Sequence, residues 1–430
     1  VSEQHRIQGI AVTELAERFG TPLYVYDGEE LERTYRRIRE PLHPAVEILY
    51  SLKANPNLSV CSLLGGLGAG AEVSSAAELA VARKAGIAPS DTIFLGPGKS
   101  EGEISEALAD GVHSLICESY GELDLIDGIA RDMGITAPVA LRVNPVEAAR
   151  GAGLRMGGKP RQFGIDEGLL MSDPGLADRY GSIRLMGVHA YLGTRILDAG
   201  TVVENTRQIL GMAQRLSERL GFPLELVDFG GGIGVAYFSG ESDPDIEVLA
   251  RGVNDAVGEF REQHPESRVF MELGRYLTGS AGLYVARVRY VKESMGQLFA
   301  VADGGTNHHM AAVGIGSFAK RNFPMSVLNR AQEPADGKWN VTGPLCTPND
   351  TLGKNVELPR VEVGDLIGVH RSGAYGPTAS PTRFLSHGYP AEVLVHQGTP
   401  LLVHERESVA DILDRQPVHE ALMTKREDGV

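Results

Sequence analysis

Between residues 46 and 275, short apolar, β-branched runs alternate with stretches whose apolar residues recur every three to four positions. Segments 46–51, 71–74, 92–95, 114–117, 139–143, 185–190, 224–229 and 269–272 read as strands. Segments 76–84, 101–108, 122–131 and 202–220 between them read as amphipathic helices. In the last, Ile209, Met212, Ala213, Leu216 and Leu220 form one buried face. Strands alternating with helices in this way predict a (β/α)8 barrel, TIM-like, rather than a doubly wound sheet. After Gly274 the texture changes. Segments 283–291, 298–301, 338–341, 365–369 and 391–395 read as strands separated by Gly, Pro and Asn turns, which predicts a mostly antiparallel β domain. The expected division is a barrel over 26–275 and a β domain over 276–416 with contributions from 1–25. A charged tail, 417–430, is expected to fray. The strand-like Leu23-Tyr24-Val25-Tyr26 fits either part.

Composition narrows the class. At 430 residues the chain is long enough for two or three domains, and a hydrophobic share of 42% supplies a sizeable core. No apolar stretch approaches the roughly 20 residues of a membrane helix, and the first residues lack a signal-peptide pattern. A net charge of −15 argues against nucleic acid or an anionic membrane as partner. Cys61, Cys117 and Cys346 have no metal-type spacing, and an odd count favours a reduced cytoplasm. His308-His309 invites a metal reading, but neighbouring side chains diverge and no third ligand is evident.

The candidate chemistry sits at strand ends. Lys53 follows the first barrel strand, where side chains point into an active site, and a lysine half buried among apolar neighbours has a lowered pKa and forms Schiff bases with aldehydes. His189 ends the sixth strand, as a satisfied core histidine or as an imidazole that stacks on an aromatic cofactor. Gly230-Gly231-Gly232-Ile233-Gly234 follows the seventh; such a turn lets backbone N–H groups close on a phosphate. It is neither a dinucleotide fingerprint nor a P-loop. Glu272-Leu273-Gly274-Arg275 ends the eighth strand, so Gly274 and Arg275 can complete an anion site. Glu272 can face inward onto a pyridinium N–H or form a structural pair with Arg275. In the β domain, Cys346 is either a buried thiol or an acid–base group, and Tyr375 can donate to a phosphate. The Gly- and Arg-rich stretch 145–165 reads as a binding loop or lid.

In this order these motifs resemble the fold-type III pyridoxal-phosphate (PLP) decarboxylases, the family of diaminopimelate, ornithine and arginine decarboxylases. The resemblance covers about residues 21–405 and implies a barrel followed by an alanine-racemase-like β domain. It implies PLP bound through Lys53, with His189 against its ring and Glu272 on the pyridine nitrogen. Gly230, Gly231, Gly232, Gly274, Arg275 and Tyr375, helped by Thr194, would hold the phosphate. Glu72 matches the family's acidic residue behind the ring, and Arg142 its strand-five arginine. Cys346 matches the cysteine that reaches the site from the other subunit, which implies a homodimer with shared active sites.

Two departures bear on the substrate. Ornithine and diaminopimelate enzymes follow this cysteine with an acidic residue that receives a distal ammonium, whereas Thr347 stands here. Gln162 replaces the lysine common before Phe-Gly. Since a buried ammonium without a carboxylate partner is costly, the expected substrate lacks a free distal ammonium. It resembles that of the branch acting on glutamyl or aspartyl groups thioesterified to an acyl carrier protein in natural-product biosynthesis. Thr347, Asp350 and Arg161 are the expected substrate contacts, and Arg150, Arg155, Lys159, Arg161 and Arg195 an expected docking rim. The rivals are diaminopimelate decarboxylation, an alanine-racemase-like activity and a non-catalytic PLP-binding regulator. The racemase would need a tyrosine base where Cys346 stands, and the regulator usually has the barrel alone.

Overall fold

The computed structural model describes residues 4–145, 154–155, 160–313 and 321–419. Eight parallel strands form the barrel: β1 (Val46–Ser51), β2 (Gly70–Val73), β3 (Thr92–Phe94), β4 (Ser114–Cys117), β5 (Ala137–Asn144), β6 (Ile183–His189), β7 (Leu226–Gly231) and β8 (Arg268–Leu273). Each pairs with the next. The circle closes where β8 pairs with β1, Phe270 opposite Glu47 and Glu272 opposite Leu49. A short strand, Ile165–Asp166, adds to the C-terminal end of β5.

The strands sit where their apolar runs predict, and the helices begin where a side chain can cap them. Ser75, Ser100, Ser119, Asp198 and Asp245 each accept from the backbone N–H three residues on, a contribution of about 1 kcal/mol per helix. The helix Ile246–Gln263 buries Ile246, Leu249, Val253, Val257 and Phe260 on one face.

Alternation along the strands sorts their residues into two environments. Leu49, Ile93, Ile116, Ala140, Met186, Leu226 and Phe270 pack together as an apolar plug separate from the main core. Two residues further along most of these strands the inward position is polar: Ser51, Glu118, Arg142, Asp228 and Glu272, all buried. His189 joins them three residues after Met186, because a bulge between Leu185 and Gly187 shifts the register. A dry plug thus carries a polar layer at the C-terminal mouth.

The second part is a strand-rich domain around Gly282–Ser294, which pairs antiparallel with Leu23–Asp27, Leu366–His370 and Gln297–Ala302. Two of its pairings are parallel, Leu23–Asp27 with Ala391–His396 and Gln297–Ala302 with Gly337–Thr342. Leu23–Asp27 therefore belongs to this domain. The preceding helix Val12–Phe19 does too, since Val12, Leu15 and Ala16 share a core with Leu283, Val285 and Val393. The sequence did not single out Thr351–Leu358 or Thr399–His404. The first is interrupted by Gly353 and by Asn355 at φ 52°, and the second is a largely exposed edge. No described helix is long and apolar enough to cross a membrane. Most of 145–165, including Arg150, Lys159 and the side chain of Arg155, lies outside the described residues, as does most of the tail.

Candidate active site

A cavity of about 470 Å³ opens at the barrel mouth, walled by Lys53, Arg142, Thr194, Glu272, Arg275 and Tyr375, six of the expected residues. Leu95, Gly96, Phe163 and Tyr191 complete much of the wall. Lys53 stands on a short 3₁₀ turn directly after β1, and its Nζ lies 2.9 Å and 3.1 Å from the two carboxylate oxygens of Glu72, which is wholly buried. Ser74 Oγ donates to the same carboxylate at 3.1 Å. The lysine's pKa corrects the expectation. Burial alone would lower it, but Glu72 and then Glu272 more than offset burial, and the ammonium sits above its ordinary range.

Glu272 is buried at the end of β8, with Oε1 at 3.1 Å from His189 Nε2. Burial would raise its pKa, but His189, then Lys53 and Arg142, bring it down to about 2 from 4.5. A carboxylate depressed in this way stabilises the fold above its ordinary pKa and loses that contribution as pH falls from about 4.5 towards about 2. Across the neutral range it stays ionised. Its other oxygen, Oε2, is buried with no donor in reach among the described residues. His189 is itself fully buried behind the wall, and the contact the structure gives it is this one with Glu272.

Arg275 follows β8. Its guanidinium lies 4.5 Å from the Tyr375 ring centre and donates to Tyr237 Oη at 3.1 Å, while its buried Nε has no acceptor among the described residues. Gly230 to Gly232 lie behind the wall. Gly232 has φ 70°, and a Cβ there would fall 2.0 Å from Gly193 O, so close packing of the turn against the Gly193-Thr194 segment already demands glycine. At Gly274 a Cβ would meet that of Ala54 at 2.9 Å, beside the Lys53 turn. An amine, a carboxylate oxygen lacking a donor and a guanidinium nitrogen lacking an acceptor thus surround one small cavity. That set fits a planar molecule carrying an aldehyde, a ring N–H and a phosphate, and PLP is such a molecule.

Sequence reading missed two groups. Glu118, two residues beyond the plug residue Ile116, bonds Arg142 Nη1 at 2.9 Å and accepts from the backbone N–H groups of Gly96 and Gly164. The other is Asp228, equally buried. The signal for both was the one that marks Glu272: a carboxylate in the inward register at the end of an apolar strand. Because Glu118 holds a buried guanidinium and two loops, Glu118→Ala is expected to cost about 3–5 kcal/mol in urea unfolding. A loss below about 1 kcal/mol would show the pair to be dispensable.

Other expected residues lie elsewhere. Asp350 is not an available substrate contact: it is buried, and its carboxylate accepts from Thr306 N, Thr306 Oγ1 and Leu345 N. Cys346 is exposed and Thr347 half-buried on the turn that Asp350 anchors, and neither walls this cavity. Arg161 is exposed and outside the wall. Arg195 is half-buried over Tyr237 and Phe238, 6.0 Å and 5.3 Å from their ring centres. His308 Nε2 lies 3.0 Å from Gly388 O, and His309 Nε2 lies 2.9 Å from Ser372 Oγ. Among the described residues, His189, Asp228 and Glu272 alone bring three metal-type donor atoms within 4.8 Å of one another. Lys53 and Arg142, whose charges act on Glu272, disfavour a further cation there.

Residues 28–279 match the family model described as pyridoxal-dependent decarboxylase, pyridoxal binding domain. The chain is 39% identical over 409 residues to the L-glutamyl-[BtrI acyl-carrier protein] decarboxylase of Niallia circulans, covering 94% of this chain and 96% of that one. It is 31% identical to the diaminopimelate decarboxylase of Aquifex aeolicus, covering 95% and 94%. The crystal structure of diaminopimelate decarboxylase from Methanocaldococcus jannaschii superimposes with a TM-score of 0.89 at 28% identity, over 98% of this chain and 97% of that one. Motifs, barrel, cavity and relatives agree, and the chain belongs to the fold-type III PLP-dependent decarboxylases.

Proposed function

We propose that the enzyme removes the α-carboxylate of an amino acid whose distal carboxyl is thioesterified to an acyl carrier protein, of glutamyl or aspartyl type. One observation carries the substrate class. The turn that bears Cys346 offers Thr347 next to it, and Asp350, the turn's one carboxylate, is already occupied by Thr306 and Leu345. No carboxylate of this turn is left to receive a distal ammonium. The identity to a decarboxylase named for a carrier-bound glutamyl group supports the same reading.

The chemistry the bound cofactor supplies is an aldehyde for Schiff-base exchange and a ring that accepts the electrons released with CO2. Lys53 would hold the aldehyde, and Glu72 both fixes its ammonium and stands in contact with the proton that the amine must lose. Glu272 would keep the ring nitrogen protonated, in an orientation set by His189. Arg275, Tyr375 and Thr194 would hold the phosphate, with the Gly230 to Gly232 turn behind them. Arg142, steadied by Glu118, presents a cation to the cavity.

Cys346 supplies the proton to the α-carbon from the partner subunit. Its exposure, and its place outside the wall of its own chain's cavity, support a homodimer with shared sites. Mixing inactive Lys53→Ala and Cys346→Ala subunits should restore about a quarter of wild-type activity, since random reassociation gives half heterodimers with one intact site each. No recovery after verified subunit exchange would remove the shared site.

Mass spectrometry tests the substrate class, with free ornithine, lysine, diaminopimelate and glutamate beside glutamyl- and aspartyl-thioesters on a carrier protein. Loss of CO2 from a carrier-bound species should exceed that from any free diamino acid by at least about 100-fold in kcat/KM, because an unpaired buried ammonium is penalised. Efficient turnover of free diaminopimelate would place the enzyme in lysine biosynthesis instead.

A further inference from the structure

Asp228 takes no part in the chemistry above, yet it is fully buried in the polar layer next to Glu272 and His189. Its Oδ1 accepts the Gly230 N–H at 2.8 Å, which pins the start of the glycine turn. Its Oδ2 is buried with no donor in reach among the described residues. The nearest charges are unfavourable to a second anion: Glu272 shares its cluster, and Glu72 also acts on it. Two ionised carboxylates confined in a dry barrel repel strongly, and one proton resolves the conflict.

We propose that Asp228 is held as the neutral acid and donates a hydrogen bond to Glu272, making it a positioning residue for the carboxylate that meets the cofactor ring. Glu272 sits among His189, Lys53 and Arg142 and is the member that stays ionised. Asp228, on which Glu272 and Glu72 both act, takes the proton, and burial followed by Glu272 pushes its pKa well up. Each carboxylate oxygen has two lone pairs, so this bond leaves Glu272 able to accept from a ring N–H as well. The Asp228 hydroxyl then fixes the plane of Glu272 from one side while His189 fixes it from another. The inference holds whichever acyl group the enzyme accepts.

The test compares Asp228→Asn and Asp228→Ala in the purified full-length protein. Asparagine reproduces the neutral acid, with an oxygen for Gly230 N–H and an N–H for Glu272. Infrared difference spectra, wild type minus Asp228→Asn, should show one neutral-carboxyl C=O stretch lost, with Glu78 and Glu392, whose pKa values are also raised, cancelling. The same band should shift in Glu272→Gln. Asp228→Ala should weaken PLP affinity, measured by fluorescence titration of the apoprotein, by about 10- to 100-fold, and Asp228→Asn should recover it to within about threefold. Absence of the band, or an asparagine variant as weak as alanine, would overturn the proposal by showing Asp228 to be ionised. If Asp228→Ala does not fold, the infrared band and the affinity of Asp228→Asn decide alone.

Discussion

Replacing Lys53 by alanine or arginine is expected to lower turnover by about four orders of magnitude or more, because Lys53 supplies the amine that forms the covalent bond to an aldehyde. The two variants separate chemistry from structure. Alanine leaves the buried Glu72 carboxylate without its cation, so part of any loss could come from the fold. Arginine keeps a cation beside Glu72, but a guanidinium stays protonated and forms no Schiff base. Reduction of the PLP-loaded protein with borohydride followed by intact mass measurement should show a covalent adduct on the wild type and none on either variant. An adduct on Lys53→Arg would mean that another lysine carries the cofactor. Lys99 is the nearest rival on the cavity wall, but its Nζ is already bound to Gly96 O and Ile116 O at 2.8 Å and 2.7 Å.

Glu272→Gln should reduce kcat by about 100- to 1,000-fold while PLP affinity stays within a few-fold of wild type. The amide keeps an oxygen for His189 Nε2, so the local geometry survives, but it cannot hold the ring nitrogen protonated. Its effect should therefore fall on the chemical step and appear in single-turnover rates of CO2 release. A wild-type single-turnover rate would show that another group meets the ring nitrogen. The opposite result, loss of PLP binding with normal chemistry in the residual holoenzyme, would give Glu272 a purely structural role with His189.

Much of the architecture is legible in the sequence alone. The runs at 46–51 and 114–117 became strands with the same boundaries, and the helix at 76–84 likewise, because strand and helix periods are written directly into the apolar positions. Lys53, Glu272 and Arg275 were placed by their positions at or just past the ends of β1 and β8, since parallel barrels put strand C-termini on one face. The strand Leu23–Asp27 could not be assigned from its own residues. It is apolar at nearly every position and would suit either sheet, and only its pairing with Gly282–Ser294 and Ala391–His396 decides.

The site divides in the same way. Residue types and their order, with the resemblance they carry, named six of the residues that wall the cavity, because side chains at barrel-strand ends converge on one face. Sequence could not say how those groups charge one another. Read alone, Lys53 is a lysine with a lowered pKa; folded, it lies against Glu72 and near Glu272, and its pKa rises. Asp350 looked available beside Cys346 until folding brought Thr306 and Leu345 onto its carboxylate. Asp228 and Glu118 drew no notice as isolated acids after apolar runs, yet closure of the barrel seals both into the polar layer. Periodicity and residue chemistry, which are local, determined the fold class and the chief residues of the cavity wall. Protonation and hydrogen-bond partnership depend on which residues distant in the chain come within a few ångströms in a medium that screens charge poorly, and only the tertiary structure decides that.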